Sequence, residues 1–314
     1  MNIPQINHLQ EAHKRIKPFV HRTPVLTSHY LNSLLGCEVF FKCENFQKVG
    51  AFKFRGATNA LLSLPPEQLR NGVATHSSGN HAQALALAAK LLGTKATIIM
   101  PNNSPNVKKN AVAGYGADII LCEPTLESRE QTLRQFVSKS GAIFVHPYDN
   151  FNIICGQGTA AIELIEEVGS LDTVVAPVGG GGLLSGTSIA TKSLLPNSKV
   201  FGAEPLGADD AARSLRSGVR VESIIANTVA DGLRTTLSEL TFSIIKQNVQ
   251  DIITVDDQAI ISAMKLIWER MKIIVEPSSA TALAAVAAEK EKFAGCRVGI
   301  ILSGGNVDLD NLPW

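Results

Sequence analysis

The sequence is poor in the features that mark membrane-spanning, nucleic-acid-binding and disulfide-stabilised proteins. It has no run of about 18 apolar residues, the length that a membrane helix needs. Its 29 Lys and Arg residues nearly balance its 28 Asp and Glu residues, and a net charge of +1 argues against nucleic acid or an anionic membrane as the main partner. Its five cysteines are scattered without a CxxC pair, and residues 1–19 lack the apolar core of a signal peptide. We therefore expect a reduced, cytoplasmic protein.

What the sequence does contain is a repeated order of strand-like and helix-like segments. Hydrophobic residues make up 45% of the 314 residues and charged residues 18%, which excludes a disordered chain. Buried strands are predicted at residues 39–44, 95–101, 117–123, 173–182, 199–205 and 297–305. The Ala- and Leu-rich segments 81–93 and 183–195 are typical of helices. This order predicts an α/β fold with parallel sheets, in which ligands bind beyond the carboxyl ends of the strands.

Two turn-rich stretches, residues 64–72 and 146–152, are the best candidates for domain junctions. The block between them has its own strand-like and helix-like segments. The prediction is a small domain, residues 71–149, inserted into a large domain formed by residues 1–70 and 150–314.

Lys53 lies between Phe52 and Phe54, where a helical stretch follows the first strand-like run. Apolar neighbours and the positive end of a helix dipole both lower the pKa of a lysine, which favours a neutral, nucleophilic amine. The alternative is a surface lysine whose ammonium extends into water, and for an isolated Phe-Lys-Phe that is the commoner case.

A polar turn at residues 76–81 precedes the helix-like segment. Ser77, Ser78 and Asn80 could cap that helix, which is the ordinary role of such residues. The same turn could also present free backbone N–H groups to a carboxylate or another oxyanion.

Four consecutive glycines, Gly179 to Gly182, follow a strand-like run and precede a helix-like segment. Glycines allow the backbone to approach a phosphate, and a helix N-terminus supplies N–H donors and partial positive charge. The Walker pattern is absent, because Thr187 stands where a lysine is required, and G-x-G-x-x-G is absent too. Glu204 at the end of the next strand could still mimic the ribose-binding acid of a nicotinamide enzyme, so that alternative stays open.

Ser303 follows the last strand-like run, in a Ser-Gly-Gly-Asn turn that is ordinary when taken alone. Combined with a desolvated lysine, a glycine loop and an oxyanion-binding turn, the Ser303 hydroxyl indicates a cofactor site. These four parts are what pyridoxal 5′-phosphate (PLP) requires. Among them, the lysine supplies an amine for a Schiff base, the glycine loop a phosphate site, and the hydroxyl a partner for the pyridine nitrogen.

At these residues the chain resembles the serine/threonine dehydratase and serine racemase family of the fold type II, tryptophan synthase β-like PLP enzymes. The resemblance runs nearly end to end. It rests on ENFQKVGAFKFRGA (44–57), SSGNHAQALA (77–86), GQGT (156–159), VGGGG (178–182), VADGLR (229–234), WERMKIIVEPSSA (268–280) and SGGNVD (303–308). One departure is Ala51, where the family commonly has serine; this should not affect the Schiff base. The implied fold has two open, twisted parallel-type sheets flanked by helices, with the small domain inserted in the large one.

The resemblance also implies roles for the site residues. Lys53 is expected to carry the cofactor as a Schiff base, with Phe52 packed on the ring, Asn80 bonded to the 3′-oxygen and Ser303 facing the pyridine nitrogen. The phosphate is expected at Gly179, Gly180, Gly181, Gly182 and Leu183. The substrate carboxylate is expected at Ser77, Asn80 and His81, with Ser78 beside them.

The implied activity is that of an ammonia-lyase on small β-hydroxy amino acids. Lys53 is expected to remove the α-proton of L-serine or L-threonine, after which the β-hydroxyl leaves and a 2-oxo acid and ammonia form. Ser78 could deliver a proton to the opposite face, which would permit serine racemisation; its alternative role is a helix cap.

The remaining expectations concern a metal ion, assembly and rival functions. Family members bind Mg²⁺, Ca²⁺ or Mn²⁺ at E-x-x-x-A-x-D, here Glu204, Ala208 and Asp210, although two solvated acids are the simpler alternative. A homodimer is expected by analogy. An L-threo-3-hydroxyaspartate dehydratase is a close rival, with Arg129 or Arg234 as partner of the second carboxylate. A non-catalytic PLP or amino-acid sensor is a rival from another class.

Overall fold

The computed structural model describes residues 2–104 and 106–314. Its strands are β1 Val25–Leu26, β2 Glu38–Cys43, β3 Val73–His76, β4 Ala96–Pro101, β5 Asp118–Cys122, β6 Ile143–Phe144, β7 Thr173–Pro177, β8 Lys199–Pro205, β9 Asp251–Val255 and β10 Arg297–Leu302. Its α-helices are α1 Ile6–Ile16, α2 His29–Leu35, α3 Lys53–Leu62, α4 Pro66–Leu69, α5 Asn80–Leu91, α6 Asn106–Gly114, α7 Leu126–Ser140, α8 Phe151–Val168, α9 Gly182–Leu194, α10 Asp210–Ser217, α11 Glu239–Asn248, α12 Asp257–Met271, α13 Pro277–Ala288 and α14 Lys290–Phe293.

The described strands form two sheets. The six-strand sheet has the order β1-β2-β10-β7-β8-β9, and only its edge strand β1 pairs antiparallel. The four-strand sheet has the order β5-β4-β3-β6 and is parallel throughout. The predicted α/β fold with parallel sheets is therefore confirmed.

The division into two domains stays a prediction, although the sheets are consistent with it. All strands of the four-strand sheet lie between residues 73 and 144, within the predicted small domain. The strands of the six-strand sheet come from both sides of that segment: β1 and β2 precede it, and β7 to β10 follow it. Parallel strands joined by helices bring their carboxyl ends to one edge of each sheet, which is where the polar turns found in the sequence lie.

Each strand predicted from the sequence is present, and its ends differ by a few residues. The largest difference is at residues 173–182, where the strand ends at Pro177 and the glycines form a turn. Four strands were not predicted, namely β1, β3, β6 and β9. Two of these have only two residues, and β3, with sequence VATH, has too few apolar residues to give a strand signal.

Buried charges fix the start of helix α3. Arg55, fully buried, donates to both oxygens of Glu44 at 2.7 and 2.8 Å and to both oxygens of Glu163 at 2.9 and 2.7 Å. Lys42 is also fully buried, and its Nζ lies 2.7 Å from Glu163. These two cations and two carboxylates tie α3 to strand β2 and helix α8, two residues from Lys53.

No helix among residues 2–104 and 106–314 combines the length and apolar character that crossing a membrane requires.

Candidate active site

Lys53 begins helix α3 beside the carboxyl end of β10. The preceding Ala51 forms an isolated bridge with Gly304, and the Phe52 N–H donates to the Ser303 carbonyl at 3.0 Å. The Lys53 ammonium does not extend into open solvent: its Nζ donates to the Pro147 carbonyl at 3.0 Å and lies 5.2 Å from the centre of the Phe52 ring. The prediction that Lys53 starts a helix within apolar surroundings is confirmed, and the surface-lysine alternative is wrong.

Burial lowers the pKa of Lys53 to about 8, because the charged ammonium is poorly solvated there. The nearby Glu276 carboxylate opposes this and raises the pKa of Lys53. A pKa of about 8 leaves a far larger neutral fraction near neutral pH than an ordinary lysine has. The amine is thus suited to condense with an aldehyde and to accept a proton.

The polar turn after strand β3 does not cap helix α5 through its serines. The N-cap residue is Gly79, its N–H donates to Ser77 Oγ at 3.3 Å, and no side chain caps the helix. The capping interpretation of Ser78 is therefore wrong. The N–H groups of Asn80, His81 and Ala82 in the first turn have no partner within residues 2–104 and 106–314, so they can bind a carboxylate.

The His81 ring has no N–H left to donate to a ligand. Its Nε2 lies 3.1 Å from the Val145 carbonyl, which can only accept a hydrogen bond, so Nε2 carries the proton. Burial and the nearby Lys53 lower the pKa of His81 to about 3, and the ring is neutral. Its Nδ1 is buried and lacks a partner among the described residues. An unprotonated Nδ1 cannot donate to a carboxylate, whereas the His81 N–H can.

The glycines form a turn from β7 into helix α9. Gly181 has φ +88°, a conformation that side chains disfavour, and a Cβ at Gly180 would clash with the ring of Tyr148. The N–H groups of Gly179 to Leu184 donate to no other residue that the structure describes. The loop therefore offers free donors, close backbone approach and the positive end of a 13-residue helix, which fits a phosphate.

Ser303 lies directly beyond the carboxyl end of β10 and is 2% exposed. Its hydroxyl makes no hydrogen bond with the described part of the chain, while its carbonyl accepts from Phe52. A buried hydroxyl with a free donor and acceptor next to the Lys53 segment suits a neutral ring nitrogen. The residues present thus fit PLP: an amine, a phosphate-binding loop and a free hydroxyl.

The predicted metal ligands lie together at the end of β8. Glu204, Ala208 and Asp210 are fully buried, and Glu204 accepts the backbone N–H groups of Ala211 and Ala212 at 3.0 and 2.8 Å. Burial raises the pKa of Glu204 to about 9 and that of Asp210 to about 6. Asp210 Oδ1 is buried without a partner among the described residues. The alternative of two solvated acids is wrong.

The position of Glu204 also removes the reason for a nicotinamide site. A ribose-binding acid must be exposed to a bulky dinucleotide, whereas Glu204 is fully buried.

The two arginines proposed for a second carboxylate differ in their surroundings. Arg234 Nε and Nη2 both donate to the Thr228 carbonyl within its own loop. Arg129 donates only its Nε, to the Thr125 carbonyl at 3.3 Å, and it forms no ion pair within the described ranges. Burial lowers the pKa of His76, and the charge of Arg129 lowers it further. His76 is the last residue before the Ser77–Ser78 turn. Of the two, only Arg129 has both of its Nη atoms without a hydrogen-bond partner among the described residues.

Four site residues were missed in the sequence: Pro147, Tyr148, Glu276 and Asn306. Asn80 Nδ2 donates to Glu276 Oε1 at 2.9 Å and to Oε2 at 3.1 Å. Asn306 Nδ2 donates to Asn80 Oδ1 at 2.9 Å. Glu276 and Asn306 do lie in the segments VEPSSA and SGGNVD on which the resemblance rests. That is the signal that could have revealed them.

Comparisons with known proteins agree with one another. The family described as "Pyridoxal-phosphate dependent enzyme" matches residues 16–304. The serine racemase of Dictyostelium discoideum is 54% identical over 311 residues, covering 98% of this chain and 96% of that protein. The beta-hydroxyaspartate dehydratase of Paracoccus denitrificans is 51% identical over 314 residues, covering 100% of both. The solved T.th. threonine deaminase has a TM-score of 0.93 at 42% identity, covering 98% of this chain and 99% of that one.

Proposed function

Because the chain belongs to the pyridoxal-phosphate dependent enzyme family, we propose that it is an ammonia-lyase that converts L-serine and L-threonine to 2-oxo acids and ammonia, and that it also racemises serine. The observation that carries this proposal is the half-buried Lys53 amine, with its pKa lowered to about 8, on a segment hydrogen-bonded to Ser303. The activity is measured as 2-oxo acid released from L-serine, L-threonine and L-threo-3-hydroxyaspartate. No release from any of the three would refute the lyase.

The residues that fit the cofactor divide its binding among themselves. Lys53 would hold it covalently, the N–H groups of Gly179 to Leu183 would hold its phosphate, and Ser303 would meet the ring nitrogen. Phe52 and Asn80 would contact the ring and its 3′-oxygen. When bound, PLP supplies an aldehyde that captures amino groups and a ring that withdraws electrons from the substrate α-carbon.

The chain's own residues then orient the substrate and move its protons. The free N–H groups of Asn80 and His81, with the Ser77 hydroxyl, would hold the α-carboxylate at the start of α5. The Lys53 Nζ would accept the α-proton, because an amine with a pKa of about 8 is partly neutral at physiological pH. A neutral Ser303 hydroxyl stabilises a ring cation less than a carboxylate does, which favours prompt loss of the β-hydroxyl.

Ser78 is proposed as the proton donor on the face opposite Lys53. Its hydroxyl is half-buried and makes no hydrogen bond within residues 2–104 and 106–314, so no capping role competes with this one. We expect Ser78→Ala to lower D-serine formation from L-serine at least about 100-fold, while elimination of L-serine persists. Chiral chromatography and 2-oxo acid release from the same variant check this, with elimination as the internal control. Racemisation at the wild-type rate would contradict the two-base mechanism.

A second candidate function is dehydration of L-threo-3-hydroxyaspartate to oxaloacetate and ammonia. It is favoured by the beta-hydroxyaspartate dehydratase among the relatives and by the Arg129 guanidinium, which lacks a carboxylate partner in the described structure. A guanidinium pairs well with a carboxylate, so it could recognise the side chain that distinguishes this substrate from serine.

Replacing Arg129 tests that candidate. We expect Arg129→Ala to lower kcat/KM for L-threo-3-hydroxyaspartate by roughly 10- to 100-fold, because a charge-assisted pair is lost, and to leave kcat/KM for L-serine nearly unchanged. Arg134→Ala is the control, since Arg134 lies on the same helix, is 66% exposed and pairs with Glu130. An equal loss on both substrates would rule out Arg129 as the specificity residue.

A divalent cation, Mg²⁺ or else Ca²⁺ or Mn²⁺, is proposed at Glu204, Asp210 and the Ala208 carbonyl. Oxygen ligands of this kind suit hard cations, and a cation would satisfy the unpaired Asp210 Oδ1. The described residues contain no group of three or more His, Cys, Asp or Glu side chains that could hold a metal ion by themselves, so a carbonyl oxygen is needed to complete a set.

Removal of the metal is expected to lower both stability and activity. EDTA should lower the Tm and the rate of L-serine elimination, and Mg²⁺ should restore both; at 100 times its Kd a cation adds about 2.7 kcal/mol of stability. Asp210→Asn should abolish the effect of Mg²⁺ on the Tm. Asp209→Asn should keep it, since Asp209 pairs with Arg213 on the surface. A Tm and rate indifferent to EDTA and Mg²⁺ would refute the site.

We also propose that the protein is cytoplasmic and that it forms a homodimer. The division into a small domain, residues 71–149, and a large domain is part of the same proposal. Balanced charge and the absence of a disulfide among the described cysteines support the first. Sedimentation of the purified protein would measure the second.

A further inference from the structure

Glu276 is a buried carboxylate that the proposed mechanism does not use. It is 4% exposed and directly precedes Pro277 at the start of α13. Three separate parts of the chain meet at its side chain: the start of α5, the segment that follows β10, and α13 itself. A carboxylate in such a place is unfavourable for stability unless its partners compensate.

All of the hydrogen bonds that Glu276 makes through its side chain are ones it accepts. Asn80 Nδ2 donates to Oε1 at 2.9 Å and to Oε2 at 3.1 Å, and the Asn306 N–H donates to Oε2 at 3.2 Å. A group that only accepts is required here. A glutamine would retain the shape, but its NH₂ group would face another donor.

Asn306 holds the other side of the Asn80 amide. Its Nδ2 donates to Asn80 Oδ1 at 2.9 Å and to the Val49 carbonyl at 2.7 Å. The Asn80 oxygen therefore points toward Asn306, and its nitrogen points toward Glu276. An amide nitrogen carries two hydrogens, and the contact with the carboxylate occupies one of them. The second N–H has no partner among the residues that the structure describes, so it is free for a ligand.

Charged side chains of both signs lie near Glu276. Lys108 on α6 pairs with Asp231 at 2.6 Å; Lys108 lowers the pKa of Glu276, and Glu276 in turn raises the pKa of Lys53. Burial and then Asp231 raise the pKa of Glu276 to about 7, while its Asn80 and Asn306 hydrogen bonds oppose that rise. A buried carboxyl group is not needed merely to fill space between α5 and α13.

We propose that Glu276 is a positioning residue, which with Asn306 fixes the Asn80 amide so that its free N–H faces the 3′-oxygen of the cofactor. This inference rests on the proposed function, since it assumes that PLP binds between Lys53 and Asn80. Glu276 does not itself touch the cofactor in this account. It acts by excluding the flipped amide, in which Asn80 would present its oxygen and repel the cofactor oxygen.

The test compares the affinity of the apoenzyme for PLP among matched variants. Glu276→Gln should weaken the Kd for PLP about 10-fold, the effect of one lost charge-assisted hydrogen bond, and should move the visible absorption maximum of the bound cofactor. Glu289→Gln is the control, because Glu289 is the C-cap residue directly after the same helix α13, is 49% exposed and pairs with Lys292. It should leave the Kd and the spectrum unchanged.

The Asn80→Ala background separates positioning from a general loss of structure. If Glu276 acts through Asn80, Glu276→Gln should change the Kd less than twofold once Asn80 is alanine. Should Glu276→Gln fail to fold, Asn306→Ala tests the other anchor of the same amide, with the same expected weakening and the same loss of effect in that background. Equal PLP affinity and spectra of wild type and Glu276→Gln, or an undiminished effect without Asn80, would overturn the inference alone. Failure of the wild type to bind PLP would remove the proposed function as well.

Discussion

Lys53→Ala is expected to lower elimination of L-serine and L-threonine by at least about 10³-fold. The variant loses the amine that would hold the cofactor and the base that would accept the α-proton, and a positioned general base alone contributes 10²- to 10⁴-fold. Its Tm should not fall, because a buried amine with a pKa lowered to about 8 makes no favourable contribution as an ammonium at neutral pH. Initial rates of 2-oxo acid release and thermal melts measure the two effects.

Lys48→Ala is the matched control for Lys53→Ala. Lys48 is also half-buried, and its Nζ lies 5.7 Å from the centre of the Phe54 ring, yet its side chain makes no hydrogen bond with the described part of the chain. It should keep the wild-type rate. If Lys53→Ala turned over L-serine as fast as Lys48→Ala, the assignment of Lys53 would be wrong.

The pH dependence of cofactor capture follows from the same amine. Only neutral Lys53 attacks an aldehyde, and its pKa is lowered to about 8. The rate at which apoenzyme takes up PLP should therefore rise about tenfold per pH unit below pH 8 and level off above it. Stopped-flow absorbance across pH 6 to about 10 measures this. A rate still rising steeply at pH 10 would indicate an ordinary lysine.

Glu163→Ala is expected to destabilise the fold by about 3–5 kcal/mol. Arg55 and Lys42 are fully buried. Without Glu163, Arg55 would keep only Glu44 as a carboxylate partner among the described residues and Lys42 would keep none, which leaves buried positive charge uncompensated. A loss of that size should lower the Tm by roughly 5–10 °C. The variant should lose elimination activity at a lower temperature than the wild type, because Arg55 anchors the helix that begins at Lys53.

Glu166→Ala provides the comparison for Glu163→Ala. Glu166 lies on the same helix α8, is 45% exposed and pairs with Arg22, so its loss should change stability by less than about 1 kcal/mol. A Tm for Glu163→Ala equal to that for Glu166→Ala would show that the buried charges do not stabilise this fold.

The stability difference caused by Glu163 should also depend on pH. Burial alone would raise the pKa of Glu163, but Arg55 and Lys42 outweigh burial and hold the pKa below its usual value. A carboxyl with a lowered folded-state pKa stabilises above its unfolded pKa and loses that contribution as pH falls through the folded value. The gap between wild type and Glu163→Ala should be largest near pH 7 and should shrink below about pH 4.

Local parts of the site could be predicted from the sequence because their chemistry lies within a few residues. The glycines from 179 to 182, Lys53 between two phenylalanines and Ser303 after an apolar run each combine a strand end with a characteristic side chain. Parallel sheets bring such strand ends together, so the α/β prediction also predicted where the site lies.

Other parts depend on pairings that no local pattern contains. Glu276 and Asn80 are 196 positions apart, and only the packing of the two sheets brings the carboxylate to the amide. Ser78 was open to interpretation as a cap because serine commonly caps helices, yet Gly79 takes that position in the structure. The sequence predicts His81 at the substrate carboxylate but does not say which of its atoms would donate; the Val145 carbonyl opposite its Nε2 leaves the backbone N–H as the available donor.

The central claim is that this chain binds PLP covalently at Lys53, and reduction with borohydride tests it most directly. The purified protein, supplied with PLP and reduced, is digested and the peptides are mapped by mass. The account predicts a visible absorption band that borohydride removes, and a pyridoxyl group on the peptide that contains Lys53. A protein that remains colourless and unlabelled, or a label on another lysine, would contradict it.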